Sequence, residues 1–243
     1  MQLAGRVALV TGAGQRLGRE FAQALADRGM MLALHYNRSA DGAETLRDAI
    51  RKDGGRAEIF QADLTDAEAA RALAGRAAAA LGQLDVLVNS AAVMHRISFE
   101  DTSVAQYDEI LGLNLRSPFF VAQGAAPMLR TAGGRIVNIA DLAGLEPWPS
   151  FAAHSVAKAG VVMLTQVMAR ALAPDVLVNA IAPGTVLVPD SYTDDERARL
   201  AAATPLKRLG TPADAVGALL YLLEGGDFVT GEVLVVDGGR LLR

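Results

Sequence analysis

Seven short apolar runs punctuate the chain, at Val7–Val10, Met31–Leu34, Ala57–Phe60, Val86–Val88, Ile136–Ile139, Val176–Ile181 and Val233–Val236. The first is wholly apolar and reads as a strand buried on both faces. Longer stretches rich in Ala, Leu, Arg and Glu separate the runs. Leu17 to Arg28 has helical spacing with Leu17, Phe21, Leu25 and Ala26 on one side, and Ala67 to Ala80 is a strong helix former. Further helices are expected from about Ala105 to Arg130 and from Phe151 to Leu172. On the last, His154, Lys158, Gln166 and Arg170 recur at multiples of four and read as one polar stripe on an apolar cylinder. Such a helix packs on the sheet and on something else, most simply a second subunit. The alternation predicts an α/β fold, a doubly wound parallel sheet of about seven strands with helices on both faces. Ligands collect outside the carboxyl ends of such strands.

Composition narrows the picture. The 243 residues read as one unit, 1–243, with a candidate substrate loop at about 187–204. A net charge of −4 offers no field for nucleic acid, and the absence of cysteine excludes disulfides and thiolate metal sites. No metal site is expected. The N-terminus has no signal-peptide pattern, and no apolar run reaches the roughly 18 residues that span a bilayer. The expectation is a soluble, cytoplasmic protein without a membrane partner.

The first strand runs into Thr11-Gly12-Ala13-Gly14-Gln15-Arg16-Leu17-Gly18. A strand, a glycine turn and a helix start form an anion cradle from backbone N–H groups and the helix dipole. Where a Thr-Gly-x-x-x-Gly-x-Gly pattern has its middle glycine, this chain has Arg16, which suggests a ligand with an additional phosphate. The second strand ends in His35-Tyr36-Asn37-Arg38-Ser39. A carboxylate there would bind a ribose 2′-hydroxyl and repel a 2′-phosphate. Asn37, Arg38 and Ser39 instead offer an amide, a charged fork and a hydroxyl. Two exposed arginines with no ligand are the alternative, but both flanking one crevice favours NADP(H). Asp63-Leu64, after the third strand, is placed to meet the adenine edge.

Thr11-Gly12 with Gly18, Asn89-Ser90-Ala91-Ala92, Asn114, His154-x-x-x-Lys158 and Pro183-Gly184 fall in this order over nearly the whole chain. The pattern resembles the short-chain dehydrogenase/reductase family, which implies a single Rossmann-type domain, a nicotinamide cofactor and a homodimer or homotetramer. Arg16, His35-Tyr36-x-Arg38-Ser39, Asp141 and the C-terminal Asp237 to Arg243 look like its pteridine reductase branch. The resemblance implies that Asn89, Ser90, Ala91, Pro183, Gly184 and Val186 contact cofactor, and that Lys158 binds the nicotinamide ribose. Asn114 would hold a water linking the lysine to solvent; the alternative is an amide that satisfies a helix distorted near Pro118.

The family's acid is a tyrosine four residues before its lysine, and here that position holds His154. Neutral imidazole is far too weak an acid, so the donor would be imidazolium, with an unperturbed pKa of about 6.5. Lys158 would push that value down and Asp141, thirteen residues before His154, would favour the charged ring. The catalytic set is therefore Asn114, Asp141, His154 and Lys158. Substrate contacts fall on Met94, His95, Leu187 and Tyr192, with Met94 where relatives stack an aromatic ring. Trp148 or Tyr192 could supply the stacking surface instead. The segment with Pro189, Asp190 and Ser191 and the acidic Asp194, Asp195 and Glu196 covers the site in this reading, and Arg243 reaches a neighbouring subunit or forms a frayed tail. The expected reaction is NADPH-dependent reduction of a pterin-like heterocycle or a small carbonyl by hydride transfer. A 3-oxoacyl or general ketone reductase is the alternative enzyme, and a catalytically decayed NADP(H)-binding protein is the alternative without turnover.

Overall fold

The computed structural model describes residues 1–188 and 192–242. The chain runs β1 (Val7–Val10), α1 (Arg16–Ala26), β2 (Met31–Tyr36), α2 (Ala40–Lys52), β3 (Ala57–Gln61), α3 (Ala67–Leu81) and β4 (Val86–Asn89). It continues with α4 (Val104–Leu111), α5 (Ser117–Ala132), β5 (Arg135–Ile139), α6 (Ala152–Leu172), β6 (Leu177–Pro183), α7 (Asp194–Ala202), α8 (Pro212–Leu220) and β7 (Val233–Val236). All seven strands pair in parallel, in the order β3-β2-β1-β4-β5-β6-β7. The doubly wound sheet expected from the sequence is present.

Alternation along β1 shows how the layers form. Val7 and Leu9 join one buried cluster with Leu73 of α3, Val121 and Leu129 of α5, and Leu164 of α6. Ala8 and Val10 join the opposite cluster with Phe21 and Leu25 of α1, Leu46 of α2 and Leu219 of α8. A strand with both pleat faces covered has no polar position to spare, which is why the run is wholly apolar. The sheet order reverses between β1 and β4, where a crevice opens beyond their carboxyl ends.

Several expectations need correction. The helix expected from Ala105 to Arg130 runs from Val104 to Ala132 with a π turn at Gly112–Arg116, a distortion near Pro118. Pro118 has no N–H to donate to the Asn114 carbonyl four residues earlier, so the ladder slips there. The polar stripe on α6 does not exist. His154 and Lys158 are buried, whereas Gln166 and Arg170 are exposed. A spacing of four drifts about 40° per step around a 3.6-residue helix, so the later pair lies far round from the first. The large apolar side chains exposed on α6 are Val156, Met163 and Val167. By length and composition α6 is also long and apolar enough to cross a membrane, yet it packs on the sheet and 44 % of that window is buried. Pro189, Asp190, Ser191 and Arg243 lie outside the described residues. The acidic Asp194, Asp195 and Glu196 form the first turn of α7, capped by Thr193, where negative charge complements the helix dipole.

Candidate active site

The glycine turn is braced from beneath. Gly12 has φ +69°, and a Cβ on it would lie 3.0 Å from the Ala91 Cα. A Cβ on Gly18 would lie 2.3 Å from the Gly12 carbonyl oxygen, so α1 starts hard against the turn only because that position is bare. Thr11 ties β1 to β4: its Oγ1 accepts from the N–H groups of Ser90 at 2.9 Å and Ala91 at 3.0 Å. These contacts bring the expected Gly12–Gly18 and Asn89–Ala91 groups to one crevice.

His35 has a role that the sequence did not reveal. β2 extends through it, and its buried ring accepts the Gly12 N–H at Nδ1 (3.1 Å) and faces the Ala62 carbonyl with Nε2 (3.1 Å). Nε2 therefore carries the proton and the ring is neutral. The Ala13 N–H is also used, by the His35 carbonyl at 2.8 Å. An anion cradle at this turn would therefore rest on N–H groups from Gly14 onward, not on the whole turn. Burial lowers the His35 pKa from 6.5 to about 4, with the Ala62 carbonyl opposing and Arg76 and Asp63 acting weakly in opposite directions. The unfolded chain takes up a proton at this residue near pH 6.5, but the folded chain takes it up only near pH 4. His35 therefore costs no stability above about pH 6.5, and stability falls as the pH drops from there towards 4, by about 3 kcal/mol in all. Thermal melts across this range should show that loss. His35→Gln, which can keep one acceptor and one donor, should remove most of the slope; an unchanged slope would contradict the assignment.

Around the crevice rim, Gln15 and Arg16 are exposed at the start of α1, which has no side-chain cap and no acidic residue in its first turn. Arg16 has φ +51°, one of two described non-glycine residues with positive φ. Gly14 packs so tightly on Ser39 that a Cβ would lie 2.4 Å from its Oγ. Arg16 and the Asn37-Arg38-Ser39 segment thus lie on adjoining turns. Leu17 is partly buried against the core. Asp63 accepts from Thr65 Oγ1 (2.7 Å) and the Thr65 N–H (2.9 Å). Those bonds, more than nearby Arg38, hold its carboxyl below the usual range. Leu64 is fully buried in the core, so only its backbone can meet an adenine.

Deeper in, Asn114 sits on the π turn. The Val93 N–H donates to its Oδ1 at 2.9 Å and its Nδ2 donates to the Val93 carbonyl at 2.8 Å, which fixes the amide orientation. Nδ2 also lies 3.2 Å from His154 Nδ1. Nδ1 is then the acceptor, and the ring proton belongs on Nε2. Nε2 is buried, has no hydrogen bond among the described residues, and faces Asp141 Oδ2 at 3.5 Å. An imidazolium would turn a second proton against the Asn114 amide, so the resting hydrogen-bond pattern is that of neutral imidazole. Asp141 uses Oδ1 to cap a short 3-10 turn through the Ala143 N–H at 2.9 Å. Lys158 is buried one turn beyond His154 and donates to the Ile139 carbonyl at 2.6 Å. Burial lowers its pKa from 10.5 to about 8, partly opposed by Asp141.

Lys158, Asn114, Asn89 and Asn138 line a cavity of about 10 Å³, roughly the room one water needs. Asn89 donates to Asn138 Oδ1 at 2.9 Å and Asn138 donates to Thr165 Oγ1 at 2.9 Å, while Asn89 Oδ1 is buried with no partner among the described residues. Asn138 was missed in the sequence, although a polar residue in a buried strand was the available signal. On the outer side, Met94 and Tyr192 are exposed and His95 lies 3.5 Å from Glu109. Leu187 is partly exposed, Val186 is buried, and the Gly184 N–H bonds the Val236 carbonyl at 2.9 Å. The bare turn, the uncapped helix start, the orphaned Asn89 oxygen and the buried lysine suit a dinucleotide cofactor.

Comparison with known proteins agrees with this geometry. A family profile described as enoyl-(acyl carrier protein) reductase matches residues 12–240. A Rhizobium meliloti (strain 1021) protein named "Probable galactose dehydrogenase GalD" is 38% identical, over 98% of this chain and 95% of its own. The 3-oxoacyl-(acyl-carrier-protein) reductase FabG of Staphylococcus aureus (strain Mu50 / ATCC 700699) is 32% identical over 97% of this chain and 98% of its own. The crystal structure of a dehydrogenase/reductase from Sinorhizobium meliloti 1021 superposes with a TM-score of 0.92 at 35% identity, covering 98% of this chain and 97% of that one.

Proposed function

Because this chain belongs to the short-chain dehydrogenase/reductase family, we propose that it is an NADP(H)-dependent oxidoreductase acting on a small carbonyl compound or the matching alcohol. The observation that carries the cofactor choice is Arg16, held at φ +51° beside the carboxylate-free end of β2. Among substrates, a carbonyl is better supported than a pterin. Met94 is a poorer stacking platform than an aromatic ring, and the relatives above are named for carbonyl and alcohol chemistry.

Bound nicotinamide supplies or removes the hydride. Lys158 would hold the ribose from its place under the Ile139 carbonyl, with Asn89, Ser90, Ala91, Pro183 and Gly184 lining the same crevice. The Asp141–His154 pair would give up a proton held in addition to the Nε2–H and carried on Asp141, because loss of the Nε2–H from a neutral ring would leave an imidazolate. Asp141, the more exposed of the two at 22% against 3% for His154, would be the member that meets the substrate. Asn114 keeps the imidazole oriented through Nδ1. The exposed Val156, Met163 and Val167, with Phe119 on α5, support self-association through the α5 and α6 faces.

Purified protein should oxidise NADPH with at least one member of a panel of ketones, 3-oxo esters, quinones and pterins. His154→Tyr should keep or raise that rate and flatten any acidic optimum. Saturable NADPH binding without turnover on every compound, from mildly acidic to mildly basic pH, would overturn the enzyme reading in favour of a binding module.

A further inference from the structure

We propose that Arg240 is a substrate-recognition cation and that the substrate carries a carboxylate; this rests on the oxidoreductase reading and names its substrate class. Gly238 and Gly239, at φ +65° and +87°, turn the chain after β7 back across Thr204 and Pro205. Asp237 holds the turn, accepting the Gly239 N–H at 2.7 Å and the Leu241 N–H at 2.8 Å. Arg240 is thereby carried over the Trp148 ring, 5.4 Å from its centroid, with Nη1 3.3 Å from Thr185 Oγ1.

Both neighbours flank the reacting end of the crevice. The Trp148 ring packs edge-on against Phe151, and the Trp148 backbone N–H donates at 3.3 Å to Ser155 Oγ, on the residue after His154. Thr185 directly follows Gly184 beyond β6. Among the described residues, buried Arg240 Nε has no acceptor and no carboxylate lies within ion-pair distance of the guanidinium. The acid in the adjoining loop, Glu146, instead accepts from the Trp148 indole at 2.8 Å. A partly buried guanidinium with an unused donor has lost hydration that an anion would restore, and its planar fork matches a carboxylate. The phosphate-suited Arg16 and Arg38 lie beyond β1 and β2, on the other side of the sheet's switch point. Arg240 and the Arg16–Arg38 pair therefore serve different anions.

Trp148 is the single tryptophan, so its emission reports on this contact. Butyrate titrated into the protein, alone and with saturating NADP⁺, should change that emission saturably, and butyramide should not. Arg240→Leu should raise the butyrate midpoint about tenfold or more and leave NADPH affinity unchanged, while Arg240→Lys should keep part of the response. With turnover, the same variant should raise the KM for 3-oxobutanoate and spare its methyl ester. Equal responses to butyrate and butyramide, no response to butyrate, or an unmoved midpoint in Arg240→Leu would each overturn the proposal. Because the emission titration needs neither cofactor nor turnover, its outcome is separate from failure of the oxidoreductase reading.

Discussion

Replacing Lys158 with Met should make the protein without cofactor more stable while nearly abolishing turnover. The lysine is buried and its pKa falls from 10.5 to about 8, chiefly through lost hydration. Below about pH 8 the ammonium is charged in both folded and unfolded chains, so the folded state bears the full desolvation cost. As pH rises from about 8 to 10.5 the folded lysine is neutral while the unfolded one still binds a proton, and the cost fades. The depressed value corresponds to about 3 kcal/mol at neutral pH. Loss of the bond to the Ile139 carbonyl gives back about 1 kcal/mol. Lys158→Met should therefore gain about 2 kcal/mol at pH 7, and the gain should shrink in alkaline buffer. Turnover should drop by about 10² to 10³, the usual effect of deleting a preorganised polar group from a reacting centre. Denaturant melts at pH 7 and pH 10 with a parallel NADPH assay check both halves. A variant less stable at pH 7 would show that the charged lysine is well compensated in the resting protein.

Arg16→Gly should likewise separate stability from binding. An L-residue in the left-handed region costs about 1–2 kcal/mol, part of which glycine returns through its more flexible unfolded chain. The substitution should raise stability by up to about 1 kcal/mol. NADPH affinity should fall about 10- to 100-fold, the range of a lost charge-assisted bond to phosphate, and NADH affinity should change little. Arg38→Ala should lower NADPH affinity in the same selective way without the gain in stability. If Arg16→Gly left NADPH binding intact, the arginine would be an ordinary exposed side chain in a costly conformation.

The sheet was legible because its signal is local. Short unbroken apolar runs such as Val7–Val10, followed by turn residues, read as strands covered on both sides, and the intervening helices favour parallel order. The crevice was legible for the same reason, since Gly12, Gly18 and Arg16 sit within a single turn. What escaped depended on contacts between distant parts of the chain. His35 is part of β2, and only the approach of Gly12 and Ala62 reveals it as a brace. Asn138 gains meaning from Asn89 across a strand pair. Arg240 meets Trp148 and Thr185 only because the last strand returns beside β6. The α6 stripe failed for a different reason: a period of four is near enough to helical to persuade over one turn and wrong over four. Likewise Pro118 marked a distortion, but its consequence, an Asn114 side chain turned onto Val93 and His154, lies in tertiary structure.

Every functional inference above begins with a nucleotide seated over α1 and between two arginines. Calorimetric titration of the unmodified protein with NADPH and with NADH tests that most directly. NADPH should bind saturably and more tightly than NADH by a factor of about 10² or more, as expected for one or two phosphate-bound guanidinium groups. Equal affinities, tighter binding of NADH, or no heat with either nucleotide would contradict it.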